Sequence, residues 1–331
     1  MAATSMGLEP MVAALRAAGE DTRLRLLALL ATGELSVSDL TDILGQSQPR
    51  ISRHLKLMVE AGLLIRHREG AWAFFALAPQ GEGGALARAL IATLDPTDAT
   101  LMADRQRLDA VRAARAEAAQ TYFARHAAEW DRIRSLHVAD DEVEAAVRAA
   151  LSDRSCGALL DLGTGTGRML QVLADRAERL VGVDASHAML AVARAQLSHA
   201  GVRAELRQCD VYALPFEMQG FDTIILHQVL HFLDDPARAL REAALRLKPG
   251  GRLLVVDFAP HHHEFLRSEQ AHRRLGFSVQ QMDGWFRDAG LEPMSHRDLT
   301  PEASASDQLT VSLFLARDPR PALPLQSREI A

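Results

Sequence analysis

The chain has 331 residues, and its 37 lysines and arginines against 43 aspartates and glutamates leave a net charge of −6. With 48% hydrophobic and 24% charged residues it is globular in composition, which excludes a wholly disordered chain. No apolar run approaches the roughly 18 residues that cross a bilayer, and the acidic balance means that a nucleic-acid surface has to be local.

The two cysteines, Cys156 and Cys209, make no disulfide framework, and the first basic side chain is Arg16. A cytoplasmic chain without a secretory leader or membrane partner is therefore expected. Lysine occurs only at Lys56 and Lys248, so arginine abundance reflects codon bias and carries no functional weight.

Residues 8–78 predict short helices followed by a hairpin. Pro10–Ala18 is amphipathic. Asp21 caps TRLRLLALLATG, which stops at Gly33. Ser36 or Ser38 opens SVSDLTDILG, which stops at Gly45, and Ser47 caps QPRISRHLKLMVEAG, with Pro49 in the first turn and Gly62 past the end. LLIRHRE and AWAFFAL predict a β-hairpin turning at Glu69-Gly70. GEGG at 81–84 reads as a break before the apolar helix ALARALIATL. After Asp95-Pro96, Thr97 or Asp98 caps a long helix predicted to run to about Arg134, with Leu101, Leu108, Val111, Ala118 and Tyr122 along one side.

From residue 158 strand and helix alternate. ALLDLG leads through a glycine turn to a helix ending near Ala177. RLVGVD, AELRQCD, FDTIILHQV and RLLVVDF are strands separated by helices, and KPGG ends the helix before the last of them. Near-continuous apolar strands in this alternation predict a parallel sheet covered on both faces. LEPMSHRDL and LTVSLFLAR have no helix between them and predict an antiparallel closing pair.

The helix from Ser47 to Ala61 turns Ile51, Leu55, Met58 and Val59 inward. Ser47, Gln48, Arg50, Ser52, Arg53 and Lys56 lie on its other face. Between Gln46 and Glu69 five basic side chains, including Arg66 and Arg68 of the hairpin, face only Glu60 and Glu69. Two short helices, a tight turn and a third helix form a helix-turn-helix, whose second helix enters the major groove. A solvated basic face on a small helical domain is the bland alternative.

The stretch 34–77, ELSVSDLTDILGQSQPRISRHLKLMVEAGLLIRHREGAWAFFAL, resembles the winged helix of the ArsR/SmtB repressors. That resemblance implies a homodimer on a palindromic operator in double-stranded DNA, with Arg66 and Arg68 as wing contacts. Arsenic-sensing members of the family carry a cysteine pair where this chain has Ser36-Val37-Ser38. Hydroxyls do not replace thiolates for a soft metal, so no metal is expected.

In the second half, DLGTGTG (Asp161–Gly167) lies where a strand becomes a helix, so the backbone can approach a ligand closely. Its GxGxG spacing, followed by Arg168, argues against the GxGxxG of a dinucleotide site. Asp184 and Asp210 end the next two predicted strands. Three strand-end acids around a glycine turn suit an adenosyl, cationic, phosphate-free ligand, although each alone could be a helix cap.

Residues 120–317 resemble the class I S-adenosylmethionine-dependent methyltransferases, closest in look to quinone- and sterol-type enzymes. The match includes DLGTGTG, GVDAS, CDVYALPF, FDTIILHQVLHF and LKPGG. The resemblance implies that Asp161, Gly163, Thr164 and Gly165 approach the methionine part, that Asp184 and Ala185 hold the ribose, and that Met189 packs near the adenine. Asp210 and Val211 would read the base, His227 would face the sulfonium, and Tyr122 would close over the cofactor, S-adenosylmethionine or S-adenosylhomocysteine. His227, His231 and His261 are the catalytic candidates. With His262, His263 and Glu264 they follow two strand ends and would share one mouth, as a general base, a metal site or a solvated loop.

The expected architecture is α/β, a winged helix-turn-helix domain plus a Rossmann-like methyltransferase domain with a seven-stranded sheet. The expected divisions are 1–95 for DNA binding and dimerisation, 96–134 for a helical connector, 135–317 for the methyltransferase and 318–331 for a tail. Two functions remain open at this point. One is a transcriptional regulator that senses S-adenosylmethionine or S-adenosylhomocysteine. The other is an active methyltransferase of a small molecule with an accessory DNA-binding domain.

Overall fold

The computed structural model describes residues 5–69, 72–127, 130, 140–300 and 309–321. The chain separates into two compact units, 1–117 and 118–331.

The first unit contains α1 (Leu8–Ala18), α2 (Asp21–Leu30), β1 (Leu35–Ser36), α3 (Val37–Leu44), α4 (Gln48–Glu60), β2 (Leu64–Glu69), β3 (Trp72–Leu77), α5 (Gly81–Thr93) and the start of α6 (Ala99–His126). Leu26, Leu27 and Leu30 of α2, Leu40 and Ile43 of α3, and Ile51, Leu55 and Met58 of α4 share one core with Leu108 of α6. Trimming a leucine to alanine at such fully buried positions costs about 2–5 kcal/mol. The α3–α4 corner is set locally. The Ser36 hydroxyl accepts the Asp39 N–H at 3.2 Å while the Asp39 carboxylate accepts the Ser36 N–H at 3.0 Å, and Gly45 ends the helix in the left-handed region. Arg25 grips the buried Asp104 with two bonds, of 2.6 and 2.7 Å, and Arg107 joins them. Arg115 pairs with Asp39.

Three details differ from the sequence reading. Glu20 and not Asp21 caps α2, its carboxylate accepting the Arg23 N–H at 3.0 Å. GEGG is the first turn of α5 and not a break. A Cβ on Gly84 would lie 2.0 Å from the Ala78 carbonyl oxygen and one on Gly83 2.3 Å from that of Gly62, so glycine here allows two backbones to touch. Two-residue β1 pairs antiparallel with β3 and completes a three-stranded wing sheet. The predicted wing turn at Gly70 and the predicted end of the connector near Arg134 lie outside the described residues.

The second unit contains α7 (Asp140–Ala150), β4 (Gly157–Leu162), α8 (Arg168–Val172), β5 (Ala177–Asp184), α9 (His187–His199), β6 (Glu205–Gln208), β7 (Phe221–His227), α10 (Pro236–Ala244), β8 (Leu247–Phe258), α11 (Phe265–Glu269), α12 (Val279–Asp288), β9 (Glu292–Leu299) and β10 (Val311–Arg317). The sheet order is β6-β5-β4-β7-β8-β10-β9, with every pairing parallel except those of β10. Two apolar layers cover its faces. The chain moves outward from β4 to β6, then crosses to the other side of β4 as β7. That reversal opens a crevice beyond the carboxyl ends of β4 and β7, where open α/β sheets bind ligands. The helix after the glycine turn is shorter than predicted, because β5 starts at Ala177 and a 3-10 turn (Ala174–Arg176) precedes it. KPGG belongs to β8 and does not end a helix. Among the described residues no helix is long and apolar enough to cross a membrane.

Candidate functional site

On α4, Ser47, Gln48, Arg50, Ser52, Arg53 and Lys56 are all exposed, while Ile51, Leu55 and Met58 are buried. Arg66 and Arg68 are exposed two residues apart on β2, hence on one side of it. Arg50 comes within 3.8 Å of Glu20, and Lys56 within 3.8 Å of Glu60. Such exposed pairs are worth at most about 1 kcal/mol and yield readily to a phosphate. Burial pushes the His54 imidazole down; nearby Glu20 opposes this, and Arg23, Arg50 and Arg53 reinforce it. Leu57, 42% exposed, also faces outward and was not singled out from the sequence.

In the second unit the glycine turn follows β4. The N–H groups of Gly163 and Thr164 both donate to the Val183 carbonyl, at 2.8 and 2.9 Å, which pins the turn to β5. Gly163 and Gly165 have φ of +73° and +53°. A Cβ on Gly163 would meet Val229 Cγ2 at 2.5 Å, whereas one on Gly165 would find nothing nearer than Trp130 Nε1 at 3.8 Å. Gly165 thus keeps a bare backbone surface beside an indole.

The three acids take different positions. Asp161 is buried inside β4 and accepts the Thr164 hydroxyl at 2.7 Å, so it shapes the turn. Asp184, half-buried at the last position of β5, accepts the Gly165 N–H at 2.9 Å and the Ser186 N–H at 2.8 Å. Burial raises its carboxyl above the usual range, and the two N–H donors oppose that rise. Asp210 is exposed, two residues beyond the end of β6 and not at the strand end that the sequence suggested, and it accepts the Tyr212 N–H at 2.9 Å. Ala185 and Val211 are half-buried, and Met189 is buried on α9, whose cap Ser186 accepts the Met189 N–H.

The five histidines expected at one mouth differ in exposure. His227, the last residue of β7, and His261 are half-buried, and His262 is exposed. His231 is only 2% exposed, on a 3-10 turn (Leu230–Phe232). Its Nδ1 lies 2.8 Å from Oδ1 of Asp257, which is itself fully buried on β8. Among the described residues no group of three or more His, Cys, Asp or Glu could hold a metal ion.

An aromatic run not read from the sequence borders this region. Phe123 meets Phe232 edge-on at 4.8 Å and Trp130 at 5.3 Å, and half-buried Tyr122 lies 6.5 Å from Trp130. Burial raises the Tyr122 hydroxyl above its ordinary value. A bare glycine backbone, a strand-end carboxylate and flanking rings fit an adenosyl sulfonium. The carboxylate can accept from ribose hydroxyls, and the rings offer π faces to a base or a cation.

The two units thus define a winged helix and a Rossmann-like methyltransferase domain in one chain. The family profile described as "Methyltransferase domain" matches residues 160–255, and "Bacterial regulatory protein, arsR family" matches residues 20–66. The demethylmenaquinone methyltransferase of Thermus thermophilus is 38% identical over 31% of this chain, which spans about half (47%) of that enzyme. The ubiquinone biosynthesis O-methyltransferase of Pseudomonas paraeruginosa is 30% identical over 44% of this chain and 67% of its own length. The ubiquinone/menaquinone biosynthesis C-methyltransferase UbiE of Bordetella parapertussis is 30% identical over 44% of this chain and 68% of its own length. The chain belongs to the class I S-adenosylmethionine-dependent methyltransferases, with an ArsR-type helix-turn-helix domain fused before the methyltransferase domain.

Proposed function

We propose that this chain is an active S-adenosylmethionine-dependent methyltransferase of a small molecule, tethered to its own DNA-binding domain and acting as a cytoplasmic homodimer. The observation that carries the reading is the bare Gly165 backbone held by Asp184. The relatives reported above are named as methyltransferases, of demethylmenaquinone or of ubiquinone and menaquinone biosynthesis, and support catalysis over the sensing role. S-adenosylmethionine supplies the methyl group on a sulfonium when bound. Gly163, Thr164 and Gly165 would bound its methionine part, Asp184 and Ala185 its ribose, and Met189, Asp210 and Val211 its base. Tyr122 and His227 would flank the sulfonium. Most of the rate then comes from alignment of acceptor and methyl in a dry crevice.

The test is turnover. Purified protein given S-adenosylmethionine and a small-molecule extract should release S-adenosylhomocysteine and a methylated product. Tight cofactor binding by calorimetry without turnover would return the chain to the sensing reading.

The proposed DNA surface is Ser47, Gln48, Arg50, Ser52, Arg53 and Lys56 on α4, with Arg66 and Arg68 on the wing. Arg53→Ala is expected to relax operator discrimination by about 1–3 kcal/mol. Arg68→Ala is expected to weaken all sequences alike and to flatten the salt dependence by about one unit of slope. Fluorescence anisotropy at several salt concentrations measures both. Unaltered selectivity in Arg53→Ala would remove α4 from the groove.

A further inference from the structure

Leu57 interrupts the charged face of α4. It is 42% exposed, and between Leu15 and Met102 it is the one exposed large apolar side chain among the described residues. Ile51, Leu55 and Met58 of the same helix turn into the core of the first unit, which Leu57 does not join. Its carbonyl accepts the Ala61 N–H at 3.1 Å, so the backbone is still helical here and helix geometry places the side chain. At about 100° per residue, Leu57 lies about 40° around the helix from Arg53 and about 20° from Arg50. The three therefore form one outward stripe, and Lys56 lies about 60° to the other side of Arg53. Side chains lean towards the helix N-terminus, which carries the Leu57 methyls back towards Arg53.

A single exposed leucine is ordinary on a protein surface. This one is set apart by its company, with Arg50, Arg53 and Lys56 on its own helix and Arg66 and Arg68 exposed on β2. Such a stripe suits a partner that is anionic at its rim and carries an apolar spot inside. The major groove of B-form DNA is built this way. Phosphates form its rim, and the thymine C5-methyl is the apolar group on its base edges. RNA fits poorly, because its A-form major groove is too narrow for side chains to read. Leu57 stands about 6 Å beyond Arg53 along the helix axis. That is close to two base-pair steps of about 3.4 Å each, so the two side chains address different base pairs.

On the DNA-surface reading given above, we infer that Leu57 is a specificity residue of α4. It packs on the C5-methyl of a thymine in the major groove, about two base pairs from the contact of Arg53.

The test uses the full chain. Wild type enriches duplexes from a random-sequence DNA library, and the strongest binder is made again with uracil in place of every thymine. That exchange removes the methyls and leaves every hydrogen-bonding group of the major groove in place. Fluorescence anisotropy at fixed salt gives the ratio of the two affinities. Burying one methyl is worth about fourfold, so wild type is expected to bind the thymine duplex about fourfold tighter for each methyl read. Leu57→Ala should bring the ratio to about one, with an unchanged thermal melt because the side chain lies outside the core. Leu57→Met, which stays apolar, should keep most of the ratio. A wild-type ratio of one overturns the inference. So does a ratio that Leu57→Ala leaves as it was, because another group then reads the methyl. Dissociation of a wild-type dimer in Leu57→Ala, seen by sedimentation, makes the residue a subunit contact and also overturns it. In all three cases the DNA-surface reading stands. Enrichment of no duplex at all overturns that reading and the inference together.

Discussion

Asp184→Ala is expected to weaken S-adenosylmethionine binding by roughly 10²–10⁴-fold, because two hydrogen bonds to a charged acceptor are worth about 1.5–3 kcal/mol each. Part of the loss comes from the turn itself, since the same carboxylate holds the Gly165 N–H at 2.9 Å. Asp184→Asn keeps one acceptor oxygen and should fall between wild type and alanine. Calorimetric titration decides it, and an unchanged Kd in Asp184→Ala would remove this residue from the ribose position. A pH dependence accompanies it. Burial raises the Asp184 carboxyl, so the folded chain holds that proton more tightly than the unfolded one. Its contribution to folding stability is therefore fully present below the ordinary carboxylate value and is lost as pH rises through the raised one. Ligand binding has the opposite sign, because the ionised form accepts from ribose hydroxyls through both oxygens and more strongly than the protonated form, which keeps only part of that acceptor capacity. Affinity should fall as pH drops through the raised value, and Asp184→Asn should flatten that fall.

The second large effect separates two glycines of one turn. Gly163→Ala combines a left-handed backbone with an overlap on both Val229 methyls, at 2.5 and 2.9 Å, and should destabilise the methyltransferase domain by roughly 2–5 kcal/mol. Gly165→Ala has a similar φ but open space, so its cost to folding is only about 1–2 kcal/mol. Its new methyl instead occupies the surface a ligand would approach, and cofactor affinity should collapse while the fold survives. Thermal melts and calorimetry on both variants give the comparison. A Gly163→Ala protein that melts like wild type would contradict the packing described here.

Much of this was legible from local chemistry. Ser36 and Gly45 bracket α3, apolar runs announce the parallel strands, and the missing helix before the last strand announces its reversal. What escaped depends on contacts between distant residues. His231 and His227 look alike in sequence, four residues apart after one strand. Only the register of β8 beside β7 brings Asp257 to one of them. Phe123 and Phe232 meet across more than a hundred residues with no periodicity to betray them. GEGG reads as a breaker because its signal is conformational freedom, whereas its use here is thinness, letting α5 lie against the Ala78 carbonyl. AELRQCD reads as one strand with Asp210 at its end, but β6 stops at Gln208, two residues short of it.

Ser36 bears on what it would take to place such a chain under metal control. The resemblance to the arsenic-sensing winged helices implies that thiols would stand in this neighbourhood. Here the residue is buried, pairs with Phe74 in the wing sheet and starts α3 through a reciprocal bond with Asp39, which also anchors Arg115. A thiol is a poor acceptor, and losing such a cap costs typically about 1 kcal/mol. A cysteine at this position would loosen the very corner that presents α4, so a lineage or an engineer seeking metal control would have to rebuild the helix start before grafting the ligands.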